Sequence, residues 1–286
     1  MLNDWGIIGC AYMAQEYCKV LTSRGITPHV YSRNLSSSNV KTFKTILPTL
    51  KVETLEELSS TIDRWIVCTN IDSHEKICSK LRGKIYCEKP FSNKLEYKVD
   101  DGITMLMNRR YYQWTEFIRK IIDSNQIVKI VACIPEKSSA SLISQSIHVI
   151  DLLWYLAGSF GAATRIGNVM PSFILYTEKK IPVVINMNYG SHENFSIRFY
   201  SRERNIYEAK PLEVFSISEG MEIREPDATV SVRTYRPIVR PFPYLPTGFK
   251  PGISELVDDL LSDQPIRLPT LREHREIHSW MEGNMS

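Results

Sequence analysis

Short apolar runs alternate with helical patterns over the first hundred residues. The run WGIIG precedes YMAQEYCKVLTSRG, where Met13, Tyr17, Val20 and Leu21 recur at helical spacing before Gly25. The segments ITPHVYS, RWIVCTN, KIYC and ITMLM are further strand candidates, and ETLEELSS and SHEKICSKLRG are helix candidates among them. Repeated strand–helix–strand order predicts an α/β fold with a doubly wound parallel sheet covered by helices.

The pattern changes after about Asn108. A helix, YYQWTEFIRKIIDSNQ, a strand, VKIVACI, and a long apolar helix, SLISQSIHVIDLLWYLAG, come first. The runs SFILYT, IPVVINMNYG, NFSIRFYS, EVFSIS and VSVRTY then predict a mostly antiparallel open sheet, and GISELVDDLLSD and REHREIHSWMEG predict closing helices. We therefore expect a first domain over 1–108 and an α+β domain over 109–286, whose last helices can pack back on the first.

Composition narrows the classes of partner. The chain has 286 residues, is 43% hydrophobic and carries a net charge of +3 without a block of like charge, so neither nucleic acid nor an anionic membrane surface is expected as a partner. The N-terminus does not resemble a signal peptide, and no window is long and apolar enough for a membrane span. Six scattered cysteines lack metal-ligand spacing, which favours thiols in a reducing compartment, no metal site and a cytoplasmic protein.

The segment GIIGCAYMA lies at the junction of the first strand and helix. As G-x-G-x-x-G/A it gives Gly9, Ala11 and Ala14, so the middle glycine is missing. A dinucleotide would place its pyrophosphate here on the helix N-terminus, where Tyr12 and Met13 also belong to the predicted cofactor site. A glycine turn between any strand and helix looks similar, so this motif alone does not establish dinucleotide binding.

The end of the second strand indicates which dinucleotide is bound. An acidic residue at this point would contact the ribose hydroxyls of NAD, whereas an arginine would accept the 2′-phosphate of NADP. The sequence here is YSRN, with Ser32, Arg33 and Asn34. We expect NADP, with NAD as the alternative cofactor; a solvated loop arginine is the structural alternative.

Charged residues follow another strand in CEKPFS. Pro90 restricts the backbone of Lys89 and could aim its side chain from the carboxyl end of a parallel strand, where doubly wound sheets bind ligands. The alternative is an ordinary surface turn. CTNIDSH and NRRYY follow neighbouring strands, and SIHVIDLLWYLAG lies on the apolar helix.

That ordered set, together with the terminal GFKPGISELVDDLL, resembles the Gfo/Idh/MocA family of glucose-fructose oxidoreductase and inositol dehydrogenase relatives. The resemblance implies a Rossmann domain, a second domain whose open sheet makes homo-oligomer contacts, and a cis peptide before Pro90. It also implies hydride transfer between a nicotinamide and a small-molecule substrate: a sugar, nucleotide sugar or cyclitol.

The resemblance also implies residue roles. Lys89 would point at the reacting oxygen with Glu88 beside it, and His148 would act as or beside the general acid/base; a cation and an acid suit a carbonyl oxygen that gains negative charge. The cofactor would also contact Thr69, Asn70, His74, Glu88 and Lys89. The substrate would contact Arg109, Arg110, Tyr111, Ser144 and His148.

One position departs from the family pattern. An Asp usually lies four residues before the histidine, one helical turn away, and here that position is Ser144. His148 then lacks a carboxylate that would orient it, and a buried structural histidine is the alternative. Two other functions stay open: a reductase of a non-sugar double bond or imine, and a catalytically silent nucleotide-binding member.

Overall fold

A computed structural model of the chain describes residues 4–55, 61–98, 102–136, 142–226, 229, 232–262 and 267–285. It divides into two compact units. The first comprises residues 1–112 and 246–279, and the second comprises 113–245 and 280–286. The first division falls after Tyr112, close to the boundary expected after Asn108. Segment 246–279 belongs to the first unit, although the sequence places it after the predicted second sheet.

The first unit contains a six-stranded sheet whose pairings are all parallel. The strand order is β3-β2-β1-β4-β5-β6, so the order reverses between β1 and β4. This is the predicted doubly wound arrangement. The strands are β1 (Trp5–Ile8), β2 (His29–Ser32), β3 (Val52–Thr54), β4 (Arg64–Val67), β5 (Lys84–Glu88) and β6 (Ile103–Leu106).

Helices cover this sheet and include two from the end of the chain. Helix α6 packs on α1, where Arg24 donates to both carboxylate oxygens of Asp258 at 2.7 and 2.8 Å. The predicted helix ETLEELSS is wrong at its start, because Glu53 and Thr54 belong to β3, and residues 56–60 lie outside the described ones. The helices of this unit are α1 (Tyr12–Ser23), α2 (Ser38–Ile46), α3 (His74–Cys78) and α6 (Ile253–Leu261); α7 (Leu271–Met285) begins in it and crosses the second division.

The core of the first unit lies between β4, β5, β6 and the helices. Val67, Ile85, Met105 and Leu271 pack there with side chains that are at most 4% exposed. Burial of each such side chain contributes about 1.5–3 kcal/mol, so the first turn of α7 stabilises the sheet that carries the strand-end loops. All six cysteines are unpaired, and five are buried.

The second unit is built on an eight-stranded sheet of order β14-β13-β12-β11-β7-β10-β9-β8. Its pairings are antiparallel except that β7 and β10 run parallel, which confirms the mostly antiparallel prediction. Its strands are β7 (Ile127–Glu136), β8 (Thr164–Ile166), β9 (Ser172–Tyr176), β10 (Pro182–Tyr189), β11 (Ser196–Ser201), β12 (Ile206–Ala209), β13 (Phe215–Arg224) and β14 (Thr234–Pro241); its helices are α4 (Thr115–Asp123) and α5 (Leu142–Ala157). No helix in the described ranges has the length and apolar character needed to cross a membrane.

Candidate nucleotide-binding and catalytic site

A cavity of about 750 Å³ opens in the first unit at the carboxyl ends of β1, β2 and β4. This edge is where the strand order reverses, the usual ligand crevice of a doubly wound sheet. Seven of the predicted cofactor residues contribute to it: Gly9, Ala11, Ser32, Arg33, Asn34, Thr69 and Asn70. The remaining described lining residues, which lie outside the predicted site residues, are Ile8, Cys10, Tyr31, Ser37, Asn39, Leu55, Cys68, Ser73, Lys76, Ile77, Lys80 and Leu81.

The turn from β1 into α1 suits a bound anion. Gly9 has a φ of +120°, and a Cβ added there would lie 2.3 Å from the carbonyl oxygen of Cys68, so only glycine fits. Ala11 is the N-cap and supplies no capping side chain, and the first turn of α1 has no acidic residue. The first N–H groups of a helix have no intrahelical acceptor, so here they are left for a phosphate or for water.

The loop after β2 contributes a polar and cationic wall. Ser32 and Asn34 fold the loop back on itself, since the Asn34 N–H donates to Ser32 Oγ at 3.4 Å and the Ser36 N–H donates to Asn34 Oδ1 at 2.9 Å. The exposed Arg33 lines the cavity beside them. A guanidinium donates hydrogen bonds and carries a fixed positive charge, so Arg33 can pair with an anionic group of a ligand in the cavity.

The loop after β4 contains an unsatisfied polar atom. The hydroxyl of Thr69 is buried and has no hydrogen-bond partner among the described residues, although Thr69 lines the cavity. A buried hydroxyl without a partner costs about 1–3 kcal/mol, so a ligand that bonds it gains that amount. The glycine turn, the uncapped α1 and this hydroxyl together fit a dinucleotide.

His74 lies behind that loop and does not line the cavity. Its side chain is 1% exposed; Nε2 lies 3.0 Å from the Thr69 carbonyl oxygen, and Nδ1 lies 3.1 Å from that of Pro90. Burial lowers the pKa of His74, and these carbonyl contacts oppose the shift. His74 thus links the loops after β4 and β5, directly behind the cavity residue Thr69.

The CEKPFS segment forms the end of β5. Tyr17 of α1 is fully buried and donates its hydroxyl to Glu88 Oε1 at 2.8 Å. Burial raises the pKa of Glu88, and the charge of Lys89 and the Tyr17 hydroxyl oppose the shift. The Lys89–Pro90 peptide is cis, as the resemblance implied. Neither Glu88 nor Lys89 lines the cavity as the structure describes it.

Lys250 stands at the N-terminus of α1. Its ammonium lies 4.8 Å from the centre of the Tyr12 ring and 3.3 Å from Met13 Sδ, and its backbone N–H donates to Glu16 Oε2 at 3.4 Å. Lys250 also lowers the pKa of Glu88, against the larger effect of burial. The side chains of Tyr12 and Met13 thus contact Lys250 beside the predicted pyrophosphate site. Lys250 lies far away in the sequence, in GFKPG, so spacing could not reveal this pairing.

His274 of α7 supports the Lys89–Pro90 loop from the core. Its side chain is fully buried, and the Phe91 N–H donates to Nε2 at 3.4 Å. The ring proton must therefore lie on Nδ1, which has no partner among the described residues. Burial, with the nearby His278 and Arg110, lowers the pKa of His274 to about 3.

The predicted substrate residues after β6 have protein partners. Arg110 is 3% exposed and donates to the carbonyl oxygen of Arg267 and to Glu273 Oε1, each at 3.0 Å. Tyr111 is buried and donates to Asp259 Oδ2 at 2.6 Å. Both contacts attach the C-terminal segment to the first unit and favour a structural role over the predicted substrate role. Arg109 is partly exposed.

The remaining predicted residues, Ser144 and His148, lie on α5 in the second unit. His148 is partly buried, and the side chain of Ser144 lies outside the described residues. Glu136, at the end of β7, is 3% exposed and accepts hydrogen bonds from the N–H and the hydroxyl of Ser146 at 2.7 and 2.6 Å. A single residue of this helix, Ser146, thus holds a buried carboxylate that the sequence did not single out.

Comparisons with known proteins agree with this architecture. A dehydrogenase structure from Clostridium difficile matches with a TM-score of 0.71 at 16% identity, over 99% of this chain and 98% of that one. UDP-N-acetylglucosamine 3-dehydrogenase from Acidithiobacillus ferrooxidans matches with a TM-score of 0.68 at 11% identity, over 99% and 96%. An Agrobacterium radiobacter oxidoreductase, crystallised with NAD+, L-tartaric acid and magnesium, matches with a TM-score of 0.70 at 10% identity, over 100% and 96%.

Sequence similarity is weaker. Glucose-6-phosphate 3-dehydrogenase of Bacillus subtilis is 22% identical over 184 residues, which are 53% of this chain and 53% of that protein. The alignment thus spans about half the length of this curated relative. No family model matches the chain. Strand order, the second sheet and near-complete structural coverage confirm the expected fold, and the chain has the architecture of the Gfo/Idh/MocA-type dehydrogenases.

Proposed function

We propose that the protein is an NADP-dependent oxidoreductase that transfers hydride between the nicotinamide and a carbohydrate-like alcohol or ketone. The cavity at the reversal of strand order carries the proposal, because it combines a glycine turn, an uncapped helix N-terminus and a cationic wall. The relatives named above, dehydrogenases of a nucleotide sugar and of a sugar phosphate among them, support the substrate class. Six unpaired cysteines support a reducing compartment such as the cytoplasm.

Different residues would contact each part of the cofactor and the substrate. The N–H groups at the start of α1 would bind the pyrophosphate, Arg33 the 2′-phosphate, and Thr69 and Asn70 the nicotinamide ribose. When bound, the nicotinamide supplies or accepts the hydride. Lys89 would stabilise the negative charge on the substrate oxygen, and His148 would hold or deliver a proton.

The roles of Glu88 and Tyr17 follow from their contact. A carboxylate beside Lys89 favours the charged ammonium, and the Tyr17 hydroxyl keeps that carboxylate oriented. Burial opposes ionisation of Glu88, so the hydrogen bond from Tyr17 favours the ionised form on which Lys89 depends. Glu88 and Tyr17 would thus act as positioning residues for Lys89, and all three belong to the first unit.

Cofactor choice tests the role of Arg33. We expect Arg33→Ala to weaken NADPH binding by about tenfold to hundredfold, because it removes charge-assisted hydrogen bonds to the 2′-phosphate. NADH binding should change by less than about twofold, because NADH lacks that phosphate. Titration of both nucleotides by fluorescence measures the ratio, and an equal loss for both would refute the phosphate role.

Activity tests the role of Lys89. We expect Lys89→Met to abolish turnover with a panel of keto-sugars and sugar alcohols while NADPH affinity changes by less than about threefold, because the ammonium is proposed to act on the substrate. Lys84→Met, at the exposed start of the same strand, is the control and should leave turnover intact. NADPH binding without turnover of any sugar would favour the imine or double-bond reductase, or the silent member; absence of nucleotide binding would refute the whole proposal.

We also propose that the sheet of the second unit forms an interface between copies of the chain, as the resemblance implied. The β13–β14 pair supports this, because Met221, Ile223, Tyr235, Ile238 and Val239 are 48–57% exposed. Exposed apolar side chains in such number on one hairpin are typical of an interaction surface. Light scattering should show an oligomer for the native protein and a smaller species for Ile223→Glu, and a native monomer would contradict this proposal.

A further inference from the structure

Two lysines outside the predicted site residues share one side of the α3 region. Lys76 lies in α3, and Lys80 lies in the turn that continues it, where the Lys80 N–H donates to the carbonyl oxygen of Ile77 at 3.0 Å. Residues four apart in such a turn face the same way. Both lysines line the 750 Å³ cavity, with Ile77 between them.

These lysines and Arg33 reach the cavity from two sides. Arg33 follows β2 and the lysines follow β4, and β1 lies between those two strands. The loop after β2 and the α3 region therefore lie on either side of the β1–α1 turn. Arg33, Lys76 and Lys80 line the same cavity, so a ligand bound there is offered cations from both segments.

All charged residues in the described cavity lining are cationic. The described lining residues include Arg33, Lys76 and Lys80 and no Asp or Glu. Two acidic residues of neighbouring segments have other contacts: Glu53 pairs with Lys51 at 2.8 Å, and Glu75 accepts from the Lys98 N–H at 3.5 Å. Three cations therefore face the cavity without a described carboxylate in its wall, which favours a dianionic ligand group.

We infer that Lys76 and Lys80 form, together with Arg33, a three-cation site for a phosphoryl group on the 2′-oxygen of an adenosine nucleotide. The inference rests on the proposed dinucleotide function and extends it, because resemblance and spacing had given the phosphate to Arg33 alone. Leu55, Ile77 and Leu81 line the cavity as well and provide an apolar surface for the adenine base. Loss of Arg33 alone should then leave a residual preference for NADPH.

A nucleotide fragment tests the site without the nicotinamide. Adenosine 2′,5′-bisphosphate carries the 2′-phosphate, and adenosine 5′-phosphate is the same nucleotide without it. Calorimetry should show about tenfold weaker binding of the bisphosphate to the double variant Lys76→Ala/Lys80→Ala, because the variant loses two partly solvated ion pairs with the 2′-phosphate. Binding of the 5′-phosphate should change by less than about twofold, and the loss should shrink at high salt because exposed charges are screened. Lys76→Arg/Lys80→Arg should retain bisphosphate affinity.

A control variant and a comparison of two ligands distinguish failure of the three-cation site from failure of the proposed function. Lys41→Ala removes an exposed lysine of α2 that does not line the cavity, so bisphosphate affinity should hold. If Arg33→Ala lowers NADPH affinity but the double lysine variant retains full bisphosphate affinity, the three-cation site is wrong and the proposed function stands. Equal losses for the two fragments would also refute the site, because the lysines would then contact another part of the nucleotide. A native protein that binds neither fragment nor NADPH would refute both.

Discussion

His274 should make the first unit sensitive to mild acid. A histidine whose folded pKa lies below its unfolded value binds fewer protons when folded, so stability is full above the unfolded pKa and is lost as the pH falls below it. Burial lowers the folded pKa from the ordinary 6.5 to about 3. Between pH 7 and pH 5 this linkage amounts to about 2 kcal/mol of lost unfolding free energy.

The substitution His274→Gln removes the titrating group and keeps a side-chain oxygen that can accept from the Phe91 N–H. Chemical denaturation at pH 7 and pH 5, followed by a probe in the first unit, measures the loss for each protein. We expect the variant to lose about 2 kcal/mol less than the native protein over this interval. His29→Gln, which replaces an exposed histidine of the same unit, should leave the native pH dependence unchanged. Equal losses in the native protein and His274→Gln would refute the argument.

Two further predictions concern α1 and the turn before it. Tyr17→Phe keeps the packing but removes the buried hydrogen bond to Glu88, so it should cost about 1.5–3 kcal/mol of unfolding free energy near neutral pH. The cost should be smaller in acid, where Glu88 is protonated and accepts a weaker hydrogen bond. Denaturation at two pH values measures both costs, and the control Tyr12→Phe, at an exposed position, should change the unfolding free energy by less than about 0.5 kcal/mol. Gly9→Ala should lose thermal stability and nucleotide binding together, because its Cβ would lie 2.3 Å from the Cys68 carbonyl oxygen; a variant with native melting temperature and NADPH affinity would show that the turn tolerates a side chain.

The sequence predicts the first sheet well because its signals are local. The central strands β1, β4 and β5 are short, mostly buried runs, and the residues after the strands follow directly, so Gly9, Arg33 and Thr69 are predicted at one edge. The sequence misses β3, because that strand has three residues and only Val52 is buried. The same logic places Lys89 at the end of β5.

Contacts between distant segments lie beyond such reasoning. Arg110 and Tyr111 follow a strand like the cofactor residues do, yet their partners Glu273 and Asp259 are about 150 residues away along the chain. His274 belongs to REHREIH, which looks like a polar surface helix, although its side chain is fully buried. Long-range packing, rather than local pattern, decides the roles of these residues.

The most direct test of the central claim is a crystal structure of the protein with NADPH bound. We expect the pyrophosphate on the N–H groups at the start of α1, the 2′-phosphate beside Arg33, and the nicotinamide directed toward the Lys89 end of β5. A dinucleotide bound elsewhere, or one whose 2′-phosphate points into solvent away from Arg33, would contradict it.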